Sequence, residues 1–84
     1  MKSALITGAA SGLGRACAER MAREGYGVVI ADVNLPAAQD LADSLAEEGL
    51  SAIAIHMDVS SEEEVEAGFD RMMETYSSCD LVMS

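Results

Sequence analysis

The stretch Ala4-Leu5-Ile6-Thr7-Gly8-Ala9-Ala10-Ser11-Gly12-Leu13-Gly14 decides the fold of this chain. It joins a short apolar run to glycines at positions 8, 12 and 14, and a helical pattern follows them. Glycines at a strand-to-helix turn leave the backbone amides open, and the positive end of the helix dipole attracts an anion there. The stretch therefore predicts a diphosphate-binding turn at the start of a dinucleotide-binding unit.

Each glycine of this turn has a separate expected use. Gly8 makes the tight turn out of the strand, Gly12 lets phosphates approach the backbone, and Gly14 lets the helix pack closely on the sheet. Asp32 follows Gly14 by 18 residues, at the end of a second apolar run. A carboxylate at that place binds ribose hydroxyls in dinucleotide-binding folds. An ordinary glycine-rich turn and a loop or capping aspartate are the alternatives.

The hydrophobic pattern alternates between strands and helices along the whole chain. This alternation predicts parallel strands joined by right-handed crossovers, that is, an α/β, doubly wound sheet of the Rossmann type with the order β-α-β-α-β-α-β. The predicted strands are residues 3–7, 28–31, 51–57 and 80–83, and the predicted helices are residues 12–24, 34–49 and 61–76. Residues 1–84 are therefore expected to form one domain.

Apolar residues at three- and four-residue steps predict the buried faces of the first and third helices. Ser61 and Glu64 have the spacing of a capping box, in which each side chain accepts an amide hydrogen of the other residue. His56 is expected to be structural, because no carboxylate pairs with it by pattern. The predicted faces are Leu13, Ala16, Cys17, Met21 and Ala22 in the first helix, and Val65, Phe69, Met72, Met73 and Tyr76 in the third.

Composition argues against several classes of partner. The net charge is −10, from 15 acidic and 5 basic residues, so no basic stripe is present for nucleic acid or an anionic membrane surface. Cys17 and Cys79 form neither a disulfide framework nor a metal-ligand pattern. No signal-peptide pattern and no membrane-length apolar run occurs, so a reducing, cytoplasmic setting is expected.

Three segments resemble the short-chain dehydrogenase/reductase family. Thr7-Gly8-Ala9-Ala10-Ser11-Gly12-Leu13-Gly14 is similar to its Thr-Gly-x-x-x-Gly-x-Gly signature. Asp58-Val59 resembles the Asp-Val pair that contacts adenine, and Cys79-Asp80-Leu81-Val82 resembles the approach to the fourth strand. The similarity covers the whole chain but only about the N-terminal third of a typical member.

The resemblance implies roles for individual residues. Asp32 would accept hydrogen bonds from the adenosine ribose and repel a 2′-phosphate, which favours NAD over NADP, and neither Ser11 nor Val33 supplies a basic side chain for that phosphate. Asp58 would contact adenine, with helix capping as its alternative. The candidate cofactor-binding residues are Gly8, Ser11, Gly12, Leu13, Gly14, Asp32, Asp58 and Val59.

The chain departs from the family in its catalytic residues. The family uses a Ser, Tyr and Lys set with the hallmark Tyr-x-x-x-Lys, but neither Tyr26 nor Tyr76 has a lysine four residues later. Met83-Ser84 also stand where relatives have Asn-Asn. The chain is therefore expected to be a truncated NAD(H)-binding N-terminal portion, without catalytic residues, of an oxidoreductase that transfers hydride between NAD and an alcohol or carbonyl compound.

Two other functions fit parts of the pattern. With strand order 3-2-1-4, the fourth strand would be an unpaired edge, so the chain is alternatively a non-catalytic nucleotide-binding or subunit-association module that forms a homo-oligomer through this edge. The start of a methyltransferase is a further alternative, because such enzymes also have an acidic residue after the second strand. Their glycine spacing fits residues 7–14 poorly.

Overall fold

The computed structural model describes residues 1–83 and contains one parallel sheet with helices on both faces. The strand order is β3-β2-β1-β4, which confirms the predicted order 3-2-1-4. The expected departure from the family at Ser84 lies outside the described residues. The elements are β1 (Ser3–Thr7), α1 (Gly12–Arg23), β2 (Gly27–Asp32), α2 (Leu35–Glu47), β3 (Ala52–His56), α3 (Glu62–Tyr76) and β4 (Leu81–Met83).

The core lies on both sides of β1 and β2, the two central strands. Residues 28–31 of β2 are fully buried, as their uninterrupted apolar run predicts. Ile6 and Ile30 pack with α1 and α2 on one face, while Leu5 and Val29 pack with α3 on the other. This division follows from strand geometry, because successive side chains point to opposite faces of a sheet.

The second helix begins and the first helix ends as the local sequence predicts. The Asn34 side chain accepts a hydrogen bond from the Ala37 N–H at 3.2 Å, which caps α2. Gly25, just after α1, has a φ of +95°, a left-handed conformation that costs glycine little. β2 lies parallel to β1, with Leu5 opposite Val29. None of the helices in residues 1–83 is long and apolar enough to span a membrane.

Two predicted helix faces are wrong in part. In α1, Ala18 and Ala22 are buried, whereas Leu13 is 81% exposed, because the first turn of α1 stands over a cleft at the edge of the sheet. In α3 the buried residues are Gly68, Met72 and Tyr76, which follow a strict four-residue step. Met73 lies about 100° further around the helix from Met72 and is half exposed.

Candidate dinucleotide-binding site

The candidate site lies at the carboxyl edge of the parallel sheet. Successive crossovers run from β1 to β2 to β3, and the next crossover returns to place β4 on the other side of β1. The direction of winding therefore reverses at β1, and ligands of doubly wound sheets bind in the crevice at such a reversal. The glycine turn, residues 8–11, leaves β1 at this point and leads into α1.

The three glycines within residues 8–14 have different surroundings. Gly8 and Gly12 have φ values of +65° and +60°, and a Cβ added at either would meet no heavy atom within 4 Å. Both positions therefore face open space. A Cβ at Gly14 would lie 2.4 Å from the Gly8 carbonyl oxygen, so α1 approaches the turn more closely than a side chain permits.

The N-terminus of α1 is uncapped. Ser11 is the N-cap residue, but its side chain makes no capping hydrogen bond, and the first turn contains no acidic residue. Asn34 and Ser61, the N-caps of α2 and α3, both accept a backbone N–H. The first amides of any helix lack intrahelical acceptors. At α1 these donors and the positive end of the dipole are available to an anion.

Asp32 holds two loops together at the end of β2. Its Oδ2 accepts the Ala10 N–H at 3.0 Å, and its Oδ1 accepts the Asn34 N–H at 2.9 Å. Asp32 therefore makes the loop contacts that the alternative of a loop aspartate predicts. These contacts leave room for a ligand, because a carboxylate offers about four lone-pair sites and the two amides use only two of them.

Two clefts flank the glycine turn, and Thr7 and Gly8 line both of them. The β1–β4 cleft, of about 310 Å³, also contacts Leu13, Gly14, Cys17 and Met83. The second cleft, of about 390 Å³, also contacts Asp32, Val33, Met57, Asp58 and Val59, and we name it the adenine-side cleft after the role expected of Asp58 and Val59. The candidate residues from three separate parts of the sequence therefore lie around one continuous edge, and their binding roles stay predictions.

Asp58 and Val59 give the adenine-side cleft a charged and an apolar wall. Asp58 Oδ1 accepts hydrogen bonds from the Ser60 hydroxyl at 2.7 Å and the Ser60 N–H at 2.9 Å. These two donors hold the pKa of the Asp58 carboxyl below its ordinary value, so it is an ionised acceptor at neutral pH. Val59 is 64% exposed and Val33 is 63% exposed, which leaves apolar surface for a ligand.

His56 has a carboxylate partner that the sequence pattern did not indicate. Glu64 Oε1 lies 2.7 Å from His56 Nδ1 and also accepts the Asp58 N–H at 3.2 Å. The predicted capping box is only half formed, because the Ser61 side chain accepts the Glu64 N–H while the Ser61 N–H donates to the Asp58 carbonyl. The spacing of Ser61 and Glu64 was the available signal, but it pointed to the Ser61 N–H as the donor to Glu64, whereas the donor in the structure is the Asp58 N–H.

Comparisons with known proteins agree with this geometry. The family described as short chain dehydrogenase matches residues 2–84. An uncharacterised oxidoreductase, YuxG of Bacillus subtilis (strain 168), is 41% identical over 99% of this chain and 12% of its own length. Sorbitol dehydrogenase of Cereibacter sphaeroides is 42% identical over 99% of this chain and 31% of its own length. The chain therefore spans about a third or less of these relatives.

A solved structure supports the same assignment. The crystal structure of a hydroxysteroid dehydrogenase from Escherichia coli superposes with a TM-score of 0.93 and 34% identity, over 96% of this chain and 34% of that one. The methyltransferase alternative is wrong, since the family match extends over almost the whole chain. The chain belongs to the short-chain dehydrogenase/reductase family of oxidoreductases.

Proposed function

We propose that this chain binds NAD(H) and is the cofactor-binding part of an oxidoreductase. The observation that carries the proposal is the uncapped N-terminus of α1 beside two glycines that face open space. When bound, the nicotinamide ring would supply a hydride acceptor or donor for an alcohol or carbonyl carbon. The residues of this chain contribute binding and orientation.

The polar groups of the site fit the parts of a dinucleotide in order. The amides of Gly8 and Ser11 in the turn and of Gly12 and Leu13 in α1 would hold the diphosphate, and a Cβ at Gly8 or Gly12 would point into that space. The spare lone pairs of Asp32 would accept the adenosine ribose hydroxyls. Asp58 and Val59, on the same side of the turn as Asp32, would contact adenine.

The proposed preference for NAD over NADP depends on charge at the end of β2. The Asp32 carboxylate lines the adenine-side cleft, so a ribose 2′-phosphate would meet a like charge there. Neighbouring Val33 offers no compensating positive charge, and the exposed side chain of Ser11 offers none either.

Calorimetric titration of the chain with NADH and NADPH tests this assignment. The unmutated chain is expected to prefer NADH, and Asp32→Ala is expected to weaken NADH binding at least about tenfold, since hydrogen bonds to a charged group contribute about 1.5–3 kcal/mol. The affinity of Asp32→Ala for NADPH should fall less than its affinity for NADH, so the preference for NADH over NADPH should become smaller. Asp40→Ala, which removes an exposed carboxylate from α2, is the matched control. Equal affinities for both dinucleotides in the unmutated chain would contradict the assignment.

We assign no catalytic role to the tyrosines of the chain. Tyr76 is buried, its ring packs against Gly27, and its hydroxyl is 3.0 Å from Ser51 Oγ. Tyr26 packs against the core beneath α1 and α2. Neither side chain lines the β1–β4 cleft or the adenine-side cleft. The proton-transfer groups of the proposed oxidoreductase would therefore come from other residues than these.

Within residues 1–83, the edge of β4 that faces away from β1 has no partner strand, and this supports a second candidate function, association with another copy of the chain. Within residues 1–83, β4 pairs with β1 alone, and Val82 on β4 is half exposed. Unpaired strand edges are templates for pairing with another chain. Analytical ultracentrifugation separates the outcomes: a defined oligomer supports association, and a monomer at all concentrations contradicts it.

A further inference from the structure

We propose that Glu64 is a positioning residue for the adenine side of the site, because its carboxylate holds the loop that carries Asp58 and Val59. This inference rests on the proposed function, since it concerns the same cofactor. Glu64 lies in the first turn of α3 and does not line the adenine-side cleft. It acts through the backbone of its neighbours and not by touching the ligand.

The carboxylate of Glu64 bridges the two ends of the β3–α3 loop. Its Oε1 lies 2.7 Å from Nδ1 of His56, the last residue of β3, and accepts the Asp58 N–H at 3.2 Å. The positive end of the α3 dipole also stabilises a negative charge in this turn. One side chain therefore connects the start of the helix to both the strand and the loop.

The Glu64 carboxylate is free to form this bridge because the capping box at the start of α3 is incomplete. In an ordinary capping box the glutamate would accept the Ser61 N–H, but here that amide donates to the Asp58 carbonyl oxygen at 2.9 Å. Glu64 instead reaches back three residues further, to the Asp58 N–H. Glu63, in the same helical turn, is exposed and contributes the same charge without this contact.

The contacts of the loop backbone leave Asp58 and Val59 facing the cleft. The Met57 N–H donates to the carbonyl oxygen of Asp32 in β2 at 3.1 Å, and the next amide, that of Asp58, donates to Glu64 in α3. The Asp58 carboxylate is oriented by Ser60, and Val59 is exposed beside it. Adenine offers an amino-group donor and a flat aromatic face, which match an acceptor and an apolar side chain. A loop ordered in advance also lowers the entropic cost of binding.

Two dinucleotides that differ only at the base test this role. Nicotinamide hypoxanthine dinucleotide replaces the amino group of adenine with a carbonyl oxygen, which cannot donate to Asp58. The unmutated chain is expected to bind NADH more tightly than the reduced hypoxanthine analogue. Glu64→Ala is expected to weaken NADH binding about fivefold, the value of one hydrogen bond, and to reduce this base preference. General loss of stability would lower both affinities together and leave the preference unchanged.

Three further variants make the test specific. Glu64→Gln keeps a carbonyl acceptor for the Asp58 N–H and should bind NADH within about twofold of the unmutated chain. Glu64→Asp keeps the charge but is one methylene shorter, so it should lose the same affinity and base preference as Glu64→Ala while preserving the helix N-terminus. Glu63→Ala removes an equal charge from the same turn and should change neither quantity.

The outcomes distinguish this inference from the proposed function. If the unmutated chain binds neither dinucleotide, the proposed function fails. If it binds NADH, but Glu64→Asp retains both the affinity and the base preference, the positioning role is overturned. A loss in Glu63→Ala equal to that in Glu64→Ala would also overturn it, because charge at the helix N-terminus would then explain the effect.

Discussion

Replacing Gly14 with alanine is expected to displace the turn between β1 and α1. The new Cβ would lie 2.4 Å from the Gly8 carbonyl oxygen and 3.1 Å from the Ala9 Cα, whereas real Cβ atoms essentially never approach within 3.0 Å. Both neighbours are backbone atoms, so no side-chain rotation relieves the contact. Either the helix moves away from the sheet or the turn that would hold the diphosphate changes shape.

The size of the effect follows from two opposing contributions. Overpacking of this kind costs about 1–3 kcal/mol, and alanine in place of glycine in a helix returns up to about 1 kcal/mol. The net destabilisation is therefore about 1–2 kcal/mol, which lowers the Tm of a domain of this size by roughly 5–15 °C. Displacement of one of the amides proposed to bind the diphosphate would weaken NADH binding about tenfold.

Thermal unfolding followed by circular dichroism, with a parallel NADH titration, measures both effects. Gly68→Ala is the control for stability, since its Cβ would meet Met57 Cε and Ile55 Cδ1, the ends of flexible side chains. We expect this control to change the free energy of unfolding by less than about 1 kcal/mol, because those side chains can rotate away. A Gly14→Ala chain with unchanged Tm and NADH affinity would refute the reasoning, as would a larger cost at Gly68.

Two further predictions concern the strands. Gly27→Ala should destabilise the fold by about 2–3 kcal/mol in urea unfolding, because the new Cβ would lie 2.2 Å from Cε1 of the rigid Tyr76 ring. An unchanged urea midpoint of unfolding would count against this packing. The Asp80 carboxylate accepts the Ser3 N–H at 2.9 Å, and this hydrogen bond holds the pKa of Asp80 below its ordinary value. The ionised carboxylate therefore stabilises the fold at pH values above the unfolded-state pKa. This stabilisation is lost as the pH falls through the folded-state pKa. Between roughly pH 5 and pH 2 the Tm should fall further in the unmutated chain than in Asp80→Asn, and parallel curves would contradict this.

Local signals in the sequence were sufficient for the order and type of every element. The apolar run of residues 28–31 predicts a strand buried on both faces, and Asn34 predicts the start of α2, because strand burial and helix capping depend on residues close in the sequence. The glycine spacing of residues 8–14 also led to the correct family.

The packing of the helices could not be predicted from periodicity alone. Leu13 and Met73 have the spacing of buried residues, yet both are exposed. The buried side of a helix depends on the direction from which it meets the sheet, and the approach of Gly14 to the Gly8 carbonyl sets that direction for α1. This contact joins the helix to a residue outside it, so the spacing of apolar residues within the helix does not reveal it.

The sequence by itself determined the alternation of strands and helices, the glycine turn after β1 and the acidic residue at the end of β2, since each depends on neighbouring residues. Only the tertiary structure decided which atoms these groups contact. Asp32 binds the amides of Ala10 and Asn34, and Glu64 reaches His56 and Asp58. Such contacts depend on how loops from different elements meet at the edge of the sheet, where a change of about 1 Å makes or breaks a hydrogen bond.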